Sequence, residues 1–129
     1  MSTENDKITI LIVDHTPVIL QALVRWVQQI ERFRLVGAVA NINDAIKMEH
    51  ELQPQVILYG LSVLMPYSLE QLPHLRRKLP ESYIIATSWE PHDESRAPAL
   101  AAGANDYVSG FKLDTDLLPA ILRGTRNES

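Results

Sequence analysis

The composition and charge of this 129-residue chain indicate a single globular domain and argue against several functions. The absence of cysteine excludes disulfides and thiolate chemistry. A net charge of −4 argues against direct nucleic-acid binding, because the only dense basic cluster, Arg76-Arg77-Lys78, suits a helix C-terminus. There is no apolar run of membrane-spanning length and no signal peptide, so we expect a cytoplasmic domain without membrane contact.

Apolar runs rich in β-branched residues alternate along the chain with segments of helical periodicity. The patterns predict strands at 8–13, 34–39, 56–59, 83–87 and 106–109. They predict helices at 17–30, 43–52, 69–79, 93–102 and 114–124. We expect Asn43-Asp44 and Asp93 to cap the second and fourth helices, Pro98 to leave the fourth helix short or irregular, and Gly103 to end it.

This alternation predicts an α/β fold, a five-stranded doubly wound parallel sheet with helices on both faces. We expect one domain over residues 8–124, a disordered N-terminal tail over 1–7 and a frayed C-terminal tail over 125–129. The stretch QVILYGLSVLMP, residues 55–66, contains the central strand. The carboxyl end of such a strand is where parallel sheets carry functional side chains, and here that position is Gly60.

Five sequence landmarks, in this order and spacing, carry a family resemblance: ILIVDHTPVI, QPQVILYGL, YIIATS, AAGANDYVSG and LLPAIL. The chain resembles response-regulator receiver domains, most closely those that precede LuxR/NarL-type helix-turn-helix output domains. The resemblance implies a flavodoxin-like, receiver-type three-layer sandwich. It also implies a role in two-component phosphorelay signal transduction and transcription regulation.

In that family, two adjacent acids after the first strand help to hold magnesium, and an aspartate ending the third strand accepts a phosphoryl group. A Thr or Ser after the fourth strand and a Lys after the fifth contact that group. The matching positions here are Asp14, His15, Gly60, Thr87 and Gly110. Glycine has no nucleophile, and imidazole is a poor magnesium ligand. The resemblance therefore implies a degenerate pseudo-receiver that is not an enzyme, with no catalytic residue, metal or cofactor.

Two alternatives remain open from the sequence. One is a remodelled pocket of Asp14, Ser62 and Thr87 that is still phosphorylated on Asp14 or Ser62, although Ser62 has no base or metal beside it to activate it. The other is a sensor that binds a small ligand in the space left by Gly60 and Gly110.

With the chemistry lost, the sequence favours a dimerisation or docking module, whose partner is a second copy, an output domain or a regulatory protein. Leu20 and Val24 form either an exposed stripe on the first helix or part of a broad core stripe. Leu100 lies on the small-residue-rich fourth helix. Tyr107 matches the family's switch aromatic, and otherwise is a half-buried tyrosine with a solvated hydroxyl. Trp89 either fills the vacant acceptor space or lies in an interface.

Overall fold

The computed structural model describes residues 7–48, 53–62, 67–89, 94–109 and 113–126. Five parallel strands form one sheet in the order β2-β1-β3-β4-β5. Their bounds are β1 Ile8–Val13, β2 Phe33–Val39, β3 Val56–Gly60, β4 Tyr83–Ser88 and β5 Asp106–Ser109. The doubly wound parallel sheet predicted from the sequence is confirmed.

Helices connect successive strands and cover both faces of the sheet. Their bounds are α1 Pro17–Gln28, α2 Ile42–Lys47, α3 Tyr67–Lys78, α4 Arg96–Ala102 and α5 Leu118–Arg126, the last preceded by a π-helical turn over Leu113–Leu117. One core cluster lies beneath α1 and α5, and a second lies beneath α2, α3 and α4. Within the described residues, no helix combines the length and apolar character that a bilayer span requires.

Two helix N-caps differ from prediction. Asn41, not Asn43-Asp44, caps α2, because its backbone is extended (φ −152°, ψ 166°) and its side chain accepts the Asp44 N–H at 2.9 Å. Ser95 takes the N-cap position of α4, and Asp93 lies outside the described residues. Because Pro98 is tolerated only in the first turn, α4 begins just before it and has only seven residues. The sequence predicted a short or irregular helix here. At the other end of the chain, α5 runs past its predicted end to Arg126, so the helix includes residues 125 and 126.

Arg76 fixes the corner where α3, β4 and the turn after α4 meet. Its Nε donates to the Gly103 carbonyl at 3.0 Å, and its Nη1 donates to the Ser82 carbonyl at 2.9 Å. The same guanidinium donates to the carbonyls of Leu79 and Pro80 and to the Asn105 side chain. Gly103 ends α4 with φ +125°, a conformation that favours glycine. The predicted role of the basic cluster at a helix C-terminus is confirmed at Arg76.

Candidate functional site

The candidate site lies at the carboxyl edge of the sheet, where β1, β3 and β4 end. Asp14 follows β1, Gly60 is the last residue of β3, and Thr87 pairs with Gly60 on β4. The parallel topology therefore brings these three predicted positions together. His15 follows Asp14 at the rim and is half-buried. Gly110 lies outside the described residues.

The space beside Gly60 is occupied by Asp14. The Asp14 side chain is buried, with 4% of its surface exposed, and its Oδ1 accepts the Thr16 N–H at 2.9 Å. A Cβ atom built on Gly60 would lie only 2.1 Å from Asp14 Oδ2 and 2.6 Å from its Cγ. The prediction of a vacant acceptor space at Gly60 is therefore wrong, because a carboxylate from the neighbouring strand lies in it.

The environment of Asp14 perturbs the protonation equilibrium of its carboxyl. Burial, the largest effect, raises the pKa of this carboxyl above its ordinary value. The Thr16 N–H and the nearby His15 act in the opposite direction but do not cancel the effect of burial.

The magnesium ion that the family resemblance implies does not fit this set of side chains. Magnesium prefers an octahedron of oxygen ligands, usually including one or two carboxylates. Asp14 Oδ1 already accepts a backbone hydrogen bond, and its Oδ2 lies against Gly60. The second acidic position is His15, whose Nε2 lies 3.5 Å from Thr16 Oγ1. Among the described residues, no three His, Cys, Asp or Glu side chains cluster closely enough to hold a metal ion.

A small cavity adjoins Asp14 and Gly60. It encloses about 40 Å³ and is also lined by Tyr59 and Ser68. That volume suits about one water molecule, whereas small-molecule sites usually enclose roughly 300–1,000 Å³. The Tyr59 hydroxyl donates to the Ser68 carbonyl at 2.5 Å, and the Ser62 N–H donates to Ser68 Oγ at 3.4 Å. These contacts tie the end of β3 to the start of α3.

Tyr107 on β5 is fully buried, with 2% of its surface exposed. Its ring packs in the core cluster beneath α4, and the Arg96 guanidinium lies 5.2 Å from the ring centroid. Its hydroxyl is buried and makes no hydrogen bond to any described residue. The prediction of a half-buried ring with a solvated hydroxyl is therefore wrong, because the core and Arg96 enclose the ring. Thr87 is also buried, and its Oγ1 lies 3.5 Å from the Tyr59 carbonyl oxygen.

The interface candidates have different surroundings. Leu20 and Val24 are partly buried against the core beneath α1 and α5, so they belong to a broad core stripe and not to an exposed one. Trp89 packs against the same cluster and does not occupy the acceptor space. Leu100 is 42% exposed on α4, as a contact surface requires.

Val18 on α1 is 77% exposed and was not predicted as a surface apolar residue. Helical periodicity contained the signal. At 100° per residue, position 18 lies about 130° around the helix from the mean direction of the buried residues Leu23, Trp26 and Val27.

A polar groove of about 300 Å³ beside Tyr107 was also missed. It lies between α4, β5 and α5, and its lining includes an ion pair between Arg123 Nη2 and Asp106 Oδ2 at 2.6 Å. The Tyr83 hydroxyl lies 3.3 Å from the same carboxylate oxygen. Burial of Tyr83, with a smaller effect from Asp106, raises the pKa of its hydroxyl. These residues come from three elements, so no local sequence pattern joins them.

Comparison with known proteins points to one family. The model of the response regulator receiver domain matches residues 10–121. The chain is 27% identical over 126 residues to the nitrate/nitrite response regulator protein NarL of Escherichia coli. The alignment covers 98% of this chain and 58% of NarL. It is 25% identical over 122 residues to the response regulator protein VraR of Staphylococcus aureus, covering 95% of this chain and 58% of VraR. The chain thus spans somewhat more than half the length of these relatives.

Solved structures share the same architecture. The BeF3-activated DrrB receiver domain superposes with a TM-score of 0.72 at 24% identity, covering 92% of this chain and 97% of that chain. A LuxR-family two-component response regulator from Aurantimonas sp. SI85-9A1 has a TM-score of 0.75 at 22% identity, covering 91% and 84% of the two chains. At these identities the likeness establishes the fold alone.

Proposed function

The chain belongs to the response regulator receiver domain family, and we propose that it is a pseudo-receiver that works without phosphorylation. In this proposal it acts as a dimerisation or partner-docking module in two-component signalling. One observation carries the proposal: the acceptor position is Gly60, and the carboxylate of Asp14 lies where an acceptor side chain would stand.

The chemistry of aspartyl phosphorylation explains why this observation matters. A carboxylate oxygen must attack phosphorus, while cations neutralise the charge that develops on the phosphoryl oxygens. Gly60 supplies no oxygen, and His15 replaces an oxygen ligand with an imidazole. Asp14 is a poor substitute nucleophile, because its Oδ1 accepts the Thr16 N–H and its carboxyl is buried, which raises its pKa.

The environment of Tyr107 supports a fixed contact surface. Its buried ring lies beneath Arg96 although no phosphoryl group can form at Gly60. Leu100 is exposed nearby on α4, where a partner can cover it. The partner in this proposal is a second copy, an output domain or a regulatory protein. Direct nucleic-acid binding by this domain is disfavoured by its charge of −4.

The alternative of a remodelled but active pocket, with Asp14, Ser62 and Thr87, has weaker support. Asp14 Oδ1 already accepts the Thr16 N–H, and Thr87 Oγ1 lies 3.5 Å from the Tyr59 carbonyl oxygen, so both groups already have partners within the protein.

Sedimentation equilibrium tests the proposed function. The chain is measured alone, with magnesium, and with magnesium plus beryllofluoride, a mimic of the phosphoryl group. We expect the same weight-average mass in all three conditions, because the site has no acceptor. A mass that rises only with beryllofluoride would contradict the proposal. If the chain is dimeric, Leu100→Asp is the interface probe and Val18→Asp, on the exposed side of α1, is the matched control.

A further inference from the structure

We propose that Met48 is an oxidation-sensitive anchor that fixes α2 to the edge of the sheet. Its thioether fills the space beside Gly37 on β2, and oxidation of that sulfur by a peroxide releases α2. The proposal assigns a modification site outside the positions that match the family's phosphorylation chemistry. It goes beyond the proposed function and does not depend on whether the chain is phosphorylated.

Gly37 leaves a gap in the apolar surface of β2. This strand lies at the edge of the sheet and pairs with β1. Gly37 is opposite Leu11, directly after a shift in the register between the two strands. A glycine within a strand offers no side chain for packing, so a neighbouring group must fill the space if the core beneath α2 is to stay closed.

The end of the Met48 side chain fills this gap. A Cβ atom built on Gly37 would lie 2.6 Å from Met48 Cε and 3.3 Å from Met48 Sδ. The third close atom is Leu11 Cδ1, at 3.0 Å. The thioether therefore occupies the volume that a side chain at position 37 would take. An unbranched, flexible methionine suits such an irregular space.

The position of α2 depends on this contact because the helix is short. It has six residues, Ile42–Lys47, and helices of that length are not stable in water without tertiary packing. Its buried side chains are those of Ile42 and Ala45. Met48 is the C-cap, where its N–H donates to the Ala45 carbonyl at 3.1 Å. The Met48 side chain therefore adds a packing contact at the end of α2 opposite the Asn41 cap.

The sulfur of Met48 is accessible to a small oxidant. Met48 is half-buried, and the chain has no cysteine, so methionine sulfur is the group that a peroxide oxidises most readily. A sulfur lone pair attacks one oxygen of hydrogen peroxide, an S–O bond forms and the O–O bond breaks. The sulfur loses two electrons to the peroxide, and the departing hydroxide takes the proton of the transferred oxygen and leaves as water.

Oxidation makes the anchor incompatible with its place. A sulfoxide is polar and chiral, whereas the thioether is apolar. At the present position of Sδ, the new oxygen would lie in an apolar space beside Gly37 and Leu11. Burying a polar group without a hydrogen-bond partner is unfavourable, so the oxidised side chain should move into solvent. The end of α2 then loses its contact with β2.

Release of α2 would change the candidate site. The small cavity beside Asp14 and Gly60 is also lined by Asn41 and Ile42, the N-cap and first residue of α2. One wall of the site therefore depends on a helix whose attachment is sensitive to oxidation. Because methionine sulfoxide can be reduced again enzymatically, the change is reversible. Oxidation of Met48 thus gives this domain a regulatory input that needs no phosphoryl group.

Hydrogen peroxide treatment followed by hydrogen–deuterium exchange tests the anchor. Mass-spectrometric mapping reports which of Met1, Met48 and Met65 gains an oxygen. We expect Met48 to be oxidised in the folded protein, and amide exchange over residues 44–48 to become at least about 10-fold faster while exchange in β3 is unchanged. A Met48 that is oxidised in urea but stays unmodified in the folded protein would overturn the proposal. Unchanged exchange in α2 after oxidation of Met48 would overturn it as well.

Met48→Leu is the matched control, because leucine keeps an apolar side chain beside Gly37 and has no sulfur. Peroxide should leave amide exchange in α2 of this variant unchanged. An equal acceleration there would assign the effect to Met1 or Met65 and would overturn the proposal. Met48→Gln places a polar amide in the gap and should accelerate exchange in α2 without any oxidant. Exchange as slow as in the wild type would contradict the argument from polarity.

Gly37→Ala tests the geometry of the gap. Its Cβ would displace the Met48 thioether, whose flexible end can move outward. We expect peroxide to oxidise Met48 at least about 3-fold faster in this variant, because a displaced sulfur is more exposed. An oxidation rate equal to that of the wild type would overturn the placement of the thioether beside Gly37. If Gly37→Ala fails to fold, rescue by Met48→Ala supports the placement, and failure of the double variant while Met48→Ala alone folds contradicts it.

The anchor and the proposed function fail in different ways. A phosphoryl adduct on the wild-type chain would contradict phosphorylation independence and would leave the anchor unaffected. Exchange in α2 that ignores oxidation of Met48 would contradict the anchor, while the wild type could still lack any phosphoryl adduct.

Discussion

Arg76→Ala should destabilise the domain strongly, although Arg76 lies far from the candidate site. Its guanidinium donates to carbonyls at the end of α3, at the start of β4 and at the turn after α4. These contacts join the elements that lead into β5, which carries Tyr107. The substitution removes all of these donors at once and leaves the carbonyls without this partner.

The hydrogen-bond geometry gives the expected magnitude. The contacts to Gly103 at 3.0 Å and to Ser82 at 2.9 Å are short and partly buried. At about 1 kcal/mol net for each of these, and about 1 kcal/mol in total from the longer contacts and Asn105, the loss is about 3 kcal/mol in the free energy of unfolding. For a domain of this size, that corresponds to a fall of about 10 °C in Tm.

Arg77→Ala is the matched control, since Arg77 is the adjacent residue on the same helix and is exposed. It should change the free energy of unfolding by less than about 0.5 kcal/mol. Chemical and thermal unfolding, followed by far-UV circular dichroism, measure both variants. Equal losses for the two variants would refute the reasoning, because a general effect of positive charge at the helix end would then explain the result.

Three further predictions concern the site and its surroundings. Burial raises the pKa of Asp14, so between the unfolded and the folded pKa the folded state retains a proton that the unfolded state has released. The free energy of unfolding of the wild type should therefore fall as pH rises through the raised pKa. Urea titrations at several pH values should show no such fall for Asp14→Asn. The indole of Trp26 donates to Asp114 Oδ1 at 3.0 Å, so Asp114→Ala should lower the free energy of unfolding by about 1 kcal/mol, and Asp114→Asn, which keeps an acceptor, by much less. Arg96→Ala should move the ¹⁹F resonance of fluorotyrosine-labelled Tyr107 toward its solvent-exposed value. Arg96→Lys keeps a cation over the ring and should move the resonance less. An unchanged resonance in the alanine variant would contradict the covering role of Arg96.

Strands such as β1 were predictable because they are short apolar runs, and β1 lies at the predicted residues, Ile8–Val13. Helix starts were less predictable, since several polar residues near each start can serve as a cap. Asn41 and Asn43 are equally plausible caps by residue type. The choice depends on the extended backbone of Asn41, where β2 gives way to α2.

The site positions followed from the family resemblance, but their arrangement did not. A glycine at position 60 suggests an empty space when the strand is considered alone. In the structure, the side chain of Asp14, at the end of β1, occupies that space. The sequence pattern of one strand does not predict where a side chain from the neighbouring strand lies. Tyr107 was misjudged for a similar reason, because its burial depends on Arg96 and the core beneath α4.

Intact-mass spectrometry after incubation with acetyl phosphate and magnesium tests phosphorylation independence most directly. In an active receiver, a carboxylate oxygen attacks phosphorus and acetate leaves, so the protein gains the mass of one phosphoryl group. Because Gly60 supplies no carboxylate and Asp14 is held against it, we expect only the mass of the unmodified protein to be detected. A stoichiometric phosphoryl adduct, whether mapped to Asp14, Ser62 or another residue, would contradict the central claim.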